Sequence, residues 1–240
     1  VAPGHGGPAR AAASAELDAL AQEWATEPWI GGAIDEAWAD LQKANANVSS
    51  TALFDAANVR EMRRALALSK AVDPDLVRRK SEATSECLRA WGALRAKNDW
   101  EGFQPLLEKV VSIAREEASQ MAPAVAAMRG VESVEKYEAL AEQFEPGTTT
   151  ASLDALFASL ETWLPDAIQT VVAKQPTSAA VEKLASARVD FAAQEAFLRS
   201  LLPALGFDLE HGRFDVIKGH PFCGGVPEDV RITTRLSETD

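Results

Sequence analysis

Imidazole and thiol groups, the side chains most often recruited for metal binding and nucleophilic chemistry, are scarce in this chain. Three histidines (His5, His211, His220) and two cysteines (Cys87, Cys223) stand among 240 residues. No His-Glu-x-x-His occurs, the spacing that sets two imidazoles one helical turn apart on a zinc ion beside a general base. Cys-x-x-Cys, a P-loop and a glycine fingerprint between strand and helix are absent as well. His5 lies in a glycine-rich start and His211 in the turn Glu210-His211-Gly212. Cys223 follows His220 by three residues, but a cysteine–histidine hydrolase needs a third group to orient both. Gly224-Gly225 is too short a signal for a phosphate cradle, and among 36 acidic residues a pair such as Glu116-Glu117 reads as a solvated helix face. One segment is denser. His220 to Thr234 gathers His, Phe, Cys, Gly, Asp, Arg and Thr into a short stretch, and ordering such a loop costs conformational entropy. It reads either as a functional loop or as a hairpin in which Asp229 and Arg231 form a structural ion pair.

The elements that would position this loop are helical. Leu17, Leu20, Ala21 and Trp24 recur at the spacing of one helix face, as do Ile30, Ile34, Trp38 and Leu41 after Pro28. A third helix is predicted over 50–71 and a fourth after Asp73-Pro74, a cap followed by proline at the first helical position. Cys87, Leu88 and Trp91 share a side of the fourth. Asn98-Asp99 offers the next cap, with Leu106, Leu107, Val110, Val111 and Ala114 as the expected buried stripe. Trp91 and Trp100 bracket that boundary as packing anchors. Glu145-Pro146-Gly147-Thr148 is a turn with capping threonines behind it, and Leu153, Leu156, Phe157, Leu160 and Leu164 restart the period. Pro176 opens a segment expected to run to Leu205-Gly206. Beyond Gly206 the texture changes: Phe214–Ile217 and Asp229–Thr234 read as two strands joined by the loop from His220 to Glu228. The fold class expected is mainly α, one multi-helix domain over 1–240, helical over about 9–206, with a small β-hairpin or sheet in 207–240.

Bulk properties agree with a globular chain: 47% hydrophobic and 25% charged residues, net charge −12. An acidic chain repels phosphate backbones, and Arg60, Arg63, Arg64, Arg78, Arg79 and Lys80 are interspersed with acids, so no nucleic-acid partner is expected. No apolar run approaches the roughly 20 residues that span a bilayer, no signal peptide is evident, and two distant cysteines make no disulfide framework. A cytoplasmic protein without membrane contact is the expectation.

His220-Pro221-Phe222 followed by Asp229-Val230-Arg231-Ile232-Thr233 resembles the HPF and DxRxT signatures of the carboxypeptidase Taq family of zinc metallocarboxypeptidases. Trp91 to Glu108, Tyr137 to Gly147 and Val59 to Arg64 resemble further family stretches in family order. The resemblance implies a mostly helical, homodimeric enzyme that removes single residues from peptide C-termini with zinc, sometimes cobalt. It implies that His220, Pro221, Phe222, Asp229, Arg231 and Thr233 shape a substrate groove, with His220 and Arg231 donating to peptide and Asp229 orienting a neighbour. The family's His-Glu-x-x-His segment, its later glutamate ligand and its carboxylate-binding arginine are not in this sequence. The expectation is therefore an N-terminal, groove-forming portion, inactive alone, with no catalytic or metal residue and no cofactor of its own, and prone to self-association. The alternative is a stand-alone helical module that binds peptide or protein.

Overall fold

The computed structural model describes residues 6–43, 50–175, 179–217 and 221–238. It divides into two compact units, residues 1–161 and 162–240.

Unit 1 is helical: α1 (Gly7–Ala25), α2 (Pro28–Lys43), α3 (Ser50–Ala71), α4 (Pro74–Ala96), α5 (Trp100–Arg129), α6 (Lys136–Ala141) and α7 (Thr150–Glu161). Local chemistry sets several boundaries. Asp73 accepts from Asp75 N and Asp99 from Gly102 N, each satisfying an otherwise unpaired amide at a helix start. Gly102 is the residue that allows the second cap, since a Cβ there would meet the Asp99 carboxylate at 2.8 Å. Gly130, at φ 66°, ends α5 in the left-handed conformation. With 30 residues, α5 is a rail about 45 Å long. Helices α3, α4 and α6 all pack against it, and α1 lies on α4.

The core follows from those contacts. Leu76, Ala83 and Ile113 form one buried cluster, and Met121, Val125 and Ala139 a second, with Val72 packed against both. The structure differs here from the sequence expectation. In α1 the buried positions are Gly7, Ala15 and Ala19, while Leu17 and Trp24 stand 65% exposed. Close approach of α1 to α4 selects the small side chains, because a large one would hold the helices apart. In α5 the buried stripe lies a turn later than Leu106–Ala114, on Ile113, Glu117, Ala118, Met121, Val125 and Ala126. Glu117 is not on a solvated face: it is 7% exposed, and Lys80 Nζ donates to both of its oxygens at 2.7 Å. The other five basic residues named above also carry acidic partners, Glu61 for Arg60 and Arg64, Asp35 for Arg63, Glu16 and Glu23 for Arg78, and Asp75 and Glu116 for Arg79.

A second polar node joins α5 to the turn before α7. Arg129 bonds Glu138 Oε2 at 3.1 Å and Glu142 Oε2 at 2.7 Å, and donates to the Thr148 carbonyl. Glu138 Oε1 accepts from both N and Oγ1 of Thr150 at 2.8 Å, and Glu142 from Gly147 N. The Thr150 bonds, with Arg129 behind them, hold the Glu138 carboxyl below its ordinary range.

Unit 2 carries α8 (Leu164–Ala173), α9 (Ala179–Ala185) and α10 (Phe191–Ala204), then β1 (Gly212–Val216), β2 (Cys223–Val226) and β3 (Asp229–Thr234). The segment expected to be one helix from Pro176 to Leu205 is broken. Asp190 accepts from Ala192 N and Ala193 N and starts α10 afresh, and Pro176 itself lies outside the described residues. The two expected strands are joined by a third. Order in the sheet is β1-β3-β2, with β1 parallel and β2 antiparallel to β3. Phe214 is 4% exposed, and Arg199 of α10 lies 5.1 Å over its ring and donates to its carbonyl.

Candidate functional site

The sheet places the residues of the 220–234 segment. In β3 alternate side chains share a face, so Asp229, Arg231 and Thr233 point together and Ile232 points with Phe214 toward the other face. Asp229 Oδ1 and Oδ2 accept from Arg231 Nε and Nη2 at 3.0 and 2.9 Å. The Arg231 guanidinium holds the Asp229 carboxyl below its usual range, with a smaller contribution from Arg213, and Asp229 in turn raises Arg231.

Parallel pairing puts Arg213 opposite Arg231 and Asp215 opposite Thr233. Two arginines facing each other across a ladder repel. Each is offset by its own carboxylate two residues along the strand, since Arg213 Nε donates to Asp215 Oδ2 at 2.7 Å. The result is a face of four alternating charges. Arg213 and Asp215 were not among the sequence-derived site residues. Their signal is the polar–apolar–polar run Arg213-Phe214-Asp215, which acquires meaning only once β1 is paired with β3.

Thr233 has a different task. It is 8% exposed, accepts from Phe222 N at 2.6 Å and donates to Phe222 O at 2.9 Å through the same hydroxyl. Thr233 N also donates to Phe222 O at 2.9 Å. The backbone of Phe222 is thus clamped from both sides while its ring stays 59% exposed. Pro221 precedes it, half-buried, and His220 lies outside the described residues. Gly225, within β2 opposite Val230, has φ 113°, and a Cβ there would stand 2.0 Å from the Asp229 carbonyl.

Chemically this arrangement presents a fixed phenyl ring and paired charges on a rigid backbone. Elsewhere His211 Nδ1 lies 2.7 Å from Asp208, whose carboxyl it lowers, on an exposed turn. Among the described residues no group of three His, Cys, Asp or Glu stands together to hold a metal ion, so no catalytic step through a metal can be derived from these side chains. Cys87 and Cys223 are both free thiols. No helix among the described residues is long and apolar enough to cross a membrane.

Residues 1–240 match the carboxypeptidase Taq (M32) metallopeptidase family along their whole length. The chain belongs to that family. Thermostable carboxypeptidase 1 of Thermus thermophilus is 32% identical over 232 residues, covering 95% of this chain and 44% of the relative. Thermostable carboxypeptidase 1 of Pyrococcus furiosus is 29% identical over 236 residues, with 96% and 43% covered. Among solved structures, Trypanosoma cruzi metallocarboxypeptidase 1 superposes with a TM-score of 0.71 at 34% identity, covering 100% of this chain and 45% of that one. This carboxypeptidase Taq family chain therefore spans less than half the length of the curated relatives it matches. Its mainly helical body is the one the resemblance implied, and its small C-terminal sheet is the one read from the β-branched segments after Gly206.

Proposed function

We propose that this chain is the N-terminal, groove-forming portion of a metal-dependent carboxypeptidase that removes C-terminal residues from peptides. The observation that carries the proposal is the clamp of Thr233 on Phe222 beside the Asp229–Arg231 pair. It brings Phe222, Asp229, Arg231 and Thr233 together on neighbouring strands, which supports the reading that they line a surface along which an extended peptide lies. In this reading Phe222 packs against peptide side chains, Arg231 and His220 donate to peptide, and Asp229 fixes the direction of Arg231. Thr233 and Pro221 position Phe222.

The metal of the intact enzyme, zinc in the reading implied by the family, would supply Lewis-acid activation of water. Its ligands are not among these residues, so in this reading the chain alone is inactive. Self-association, a cytoplasmic setting and no dealings with nucleic acid or membrane complete the proposal.

Titrating the isotope-labelled chain with a tripeptide bearing a free C-terminus tests the groove. Amide signals of Phe222 and of 229–233 are expected to shift, and an Arg231→Gln variant to lose that response. Shifts confined to other regions, or none, would remove the groove assignment. The same samples, given zinc, are expected to release no C-terminal amino acid.

A further inference from the structure

Strand β2 is an outer edge of the three-stranded sheet, and all four of its residues, Cys223 to Val226, are exposed. The opposite edge is engaged: Arg199 donates to the Phe214 carbonyl of β1, and the Phe207 ring lies against Gly212. Antiparallel pairing fixes which groups of β2 stay free. Thr233 N donates to the Phe222 carbonyl, so the hydrogen-bonded positions continue at Gly224–Arg231 and Val226–Asp229. Cys223 and Gly225, at the alternate positions opposite Ile232 and Val230, turn their N–H and C=O groups outward. No other described strand of the sheet lies beyond them.

The same register sorts the side chains. Phe222, Gly224 and Val226 share a face with Thr233, Arg231 and Asp229. Phe222 and Val226 are each more than half exposed and stand about 7 Å to either side of Gly224 along the strand. Gly224 carries no side chain, and a Cβ there would meet nothing within 4 Å. Between its two apolar neighbours lies an open slot floored by backbone, with Arg231 on the inner side.

We propose that an extended peptide adds to the outer edge of β2 as a fourth, antiparallel strand, with a bulky apolar side chain seated over Gly224 between Phe222 and Val226. The proposal rests on the groove reading and deepens it, naming the backbone contacts and the side chain selected. Peptide N–H and C=O groups would pair with those of Cys223 and Gly225, as in strand addition to a free sheet edge. Gly224 then faces the peptide at a non-hydrogen-bonded position, where backbones approach to about 4.5 Å and side chains are closest. A large side chain fits there because Gly224 offers none of its own, in the way aromatic residues cover glycines across strands.

Nuclear magnetic resonance and amide exchange on the whole chain test this. The probes are L-alanyl-L-phenylalanyl-L-alanine, L-alanylglycyl-L-alanine, and the first peptide N-methylated either at its third residue, whose N–H faces Cys223, or at its second, whose N–H faces away. The phenylalanine peptide is expected to protect the Cys223 and Gly225 amides and to bind about tenfold more tightly than the glycine peptide. Methylation at the third residue should abolish the protection, and at the second should leave it. Gly224→Val, which fills the slot, should erase the preference for phenylalanine; if that variant disturbs the hairpin, the peptide series still decides. Shifts at Phe222 and 229–233 without protection of Cys223 and Gly225, or equal binding of the phenylalanine and glycine peptides, would overturn the proposal and leave the groove reading standing. No response anywhere would overturn both. Protection that grows with protein concentration in the absence of peptide would give the edge to a second copy of the chain and overturn the proposal as well.

Discussion

Thr233 shows how one hydroxyl can hold a site in shape. Because it both accepts from and donates to the Phe222 backbone, Thr233→Val leaves a part-buried amide without its acceptor, and the expected cost is about 1 kcal/mol. The urea midpoint should fall accordingly, whereas Thr233→Ser should keep most of the stability. An unchanged midpoint for the valine variant would remove Thr233 from its clamping role. Glu138 gives a second test at this scale. Its carboxyl is held below the ordinary 4.5, chiefly by the two Thr150 bonds. A lowered carboxyl contributes stability that is present above the ordinary value and lost as pH falls below it through the folded value. The denaturation midpoint should therefore drop below about pH 4.5, and Glu138→Gln should flatten that part of the profile. Identical profiles would show that Glu138 is not the group responsible. Asp229, Arg231, Thr233 and Phe222 were legible in the sequence because a family pattern fixes their spacing. Arg213, Asp215 and the burial of Glu117 were not, since each depends on a partner strand or helix far away in the chain.

Elements with local causes were read well. Asp73-Pro74 and Asp99 cap their helices as their chemistry dictates, and Asp73→Ala should cost about 1 kcal/mol. Strand β2 was read as loop because Cys223-Gly224-Gly225 lacks β-branched side chains, and only pairing with β3 makes it a strand. The break before α10 was missed because apolar periodicity hid the Asp190 cap. Gly225→Ala tests the hairpin. With a Cβ 2.0 Å from the Asp229 carbonyl and a φ of 113°, the substitution should open the β2–β3 ladder. Amide exchange of 223–233 should rise sharply while α3 to α5 stay protected. Unaltered protection across the hairpin would contradict the geometry.

At the scale of the molecule, each unit carries large apolar side chains that its own described residues leave exposed. Phe157 is 55% exposed in unit 1, and Trp163, Ile168, Val171, Phe197 and Leu205 in unit 2 are all more than half exposed. Light scattering is expected to find dimers or larger species, and a sharp monomer at high concentration would count against self-association. The sequence showed the apolar periodicity of these helices without showing which faces would find partners, because burial is a property of neighbours. The central claim, that this is the groove-forming portion of a metal carboxypeptidase, is tested most directly by reading the coding DNA beyond the codon for Asp240 in the source genome. The account predicts an in-frame His-Glu-x-x-His within a couple of dozen codons, as the family pattern requires. A stop codon in that interval would contradict it and favour a stand-alone binding module.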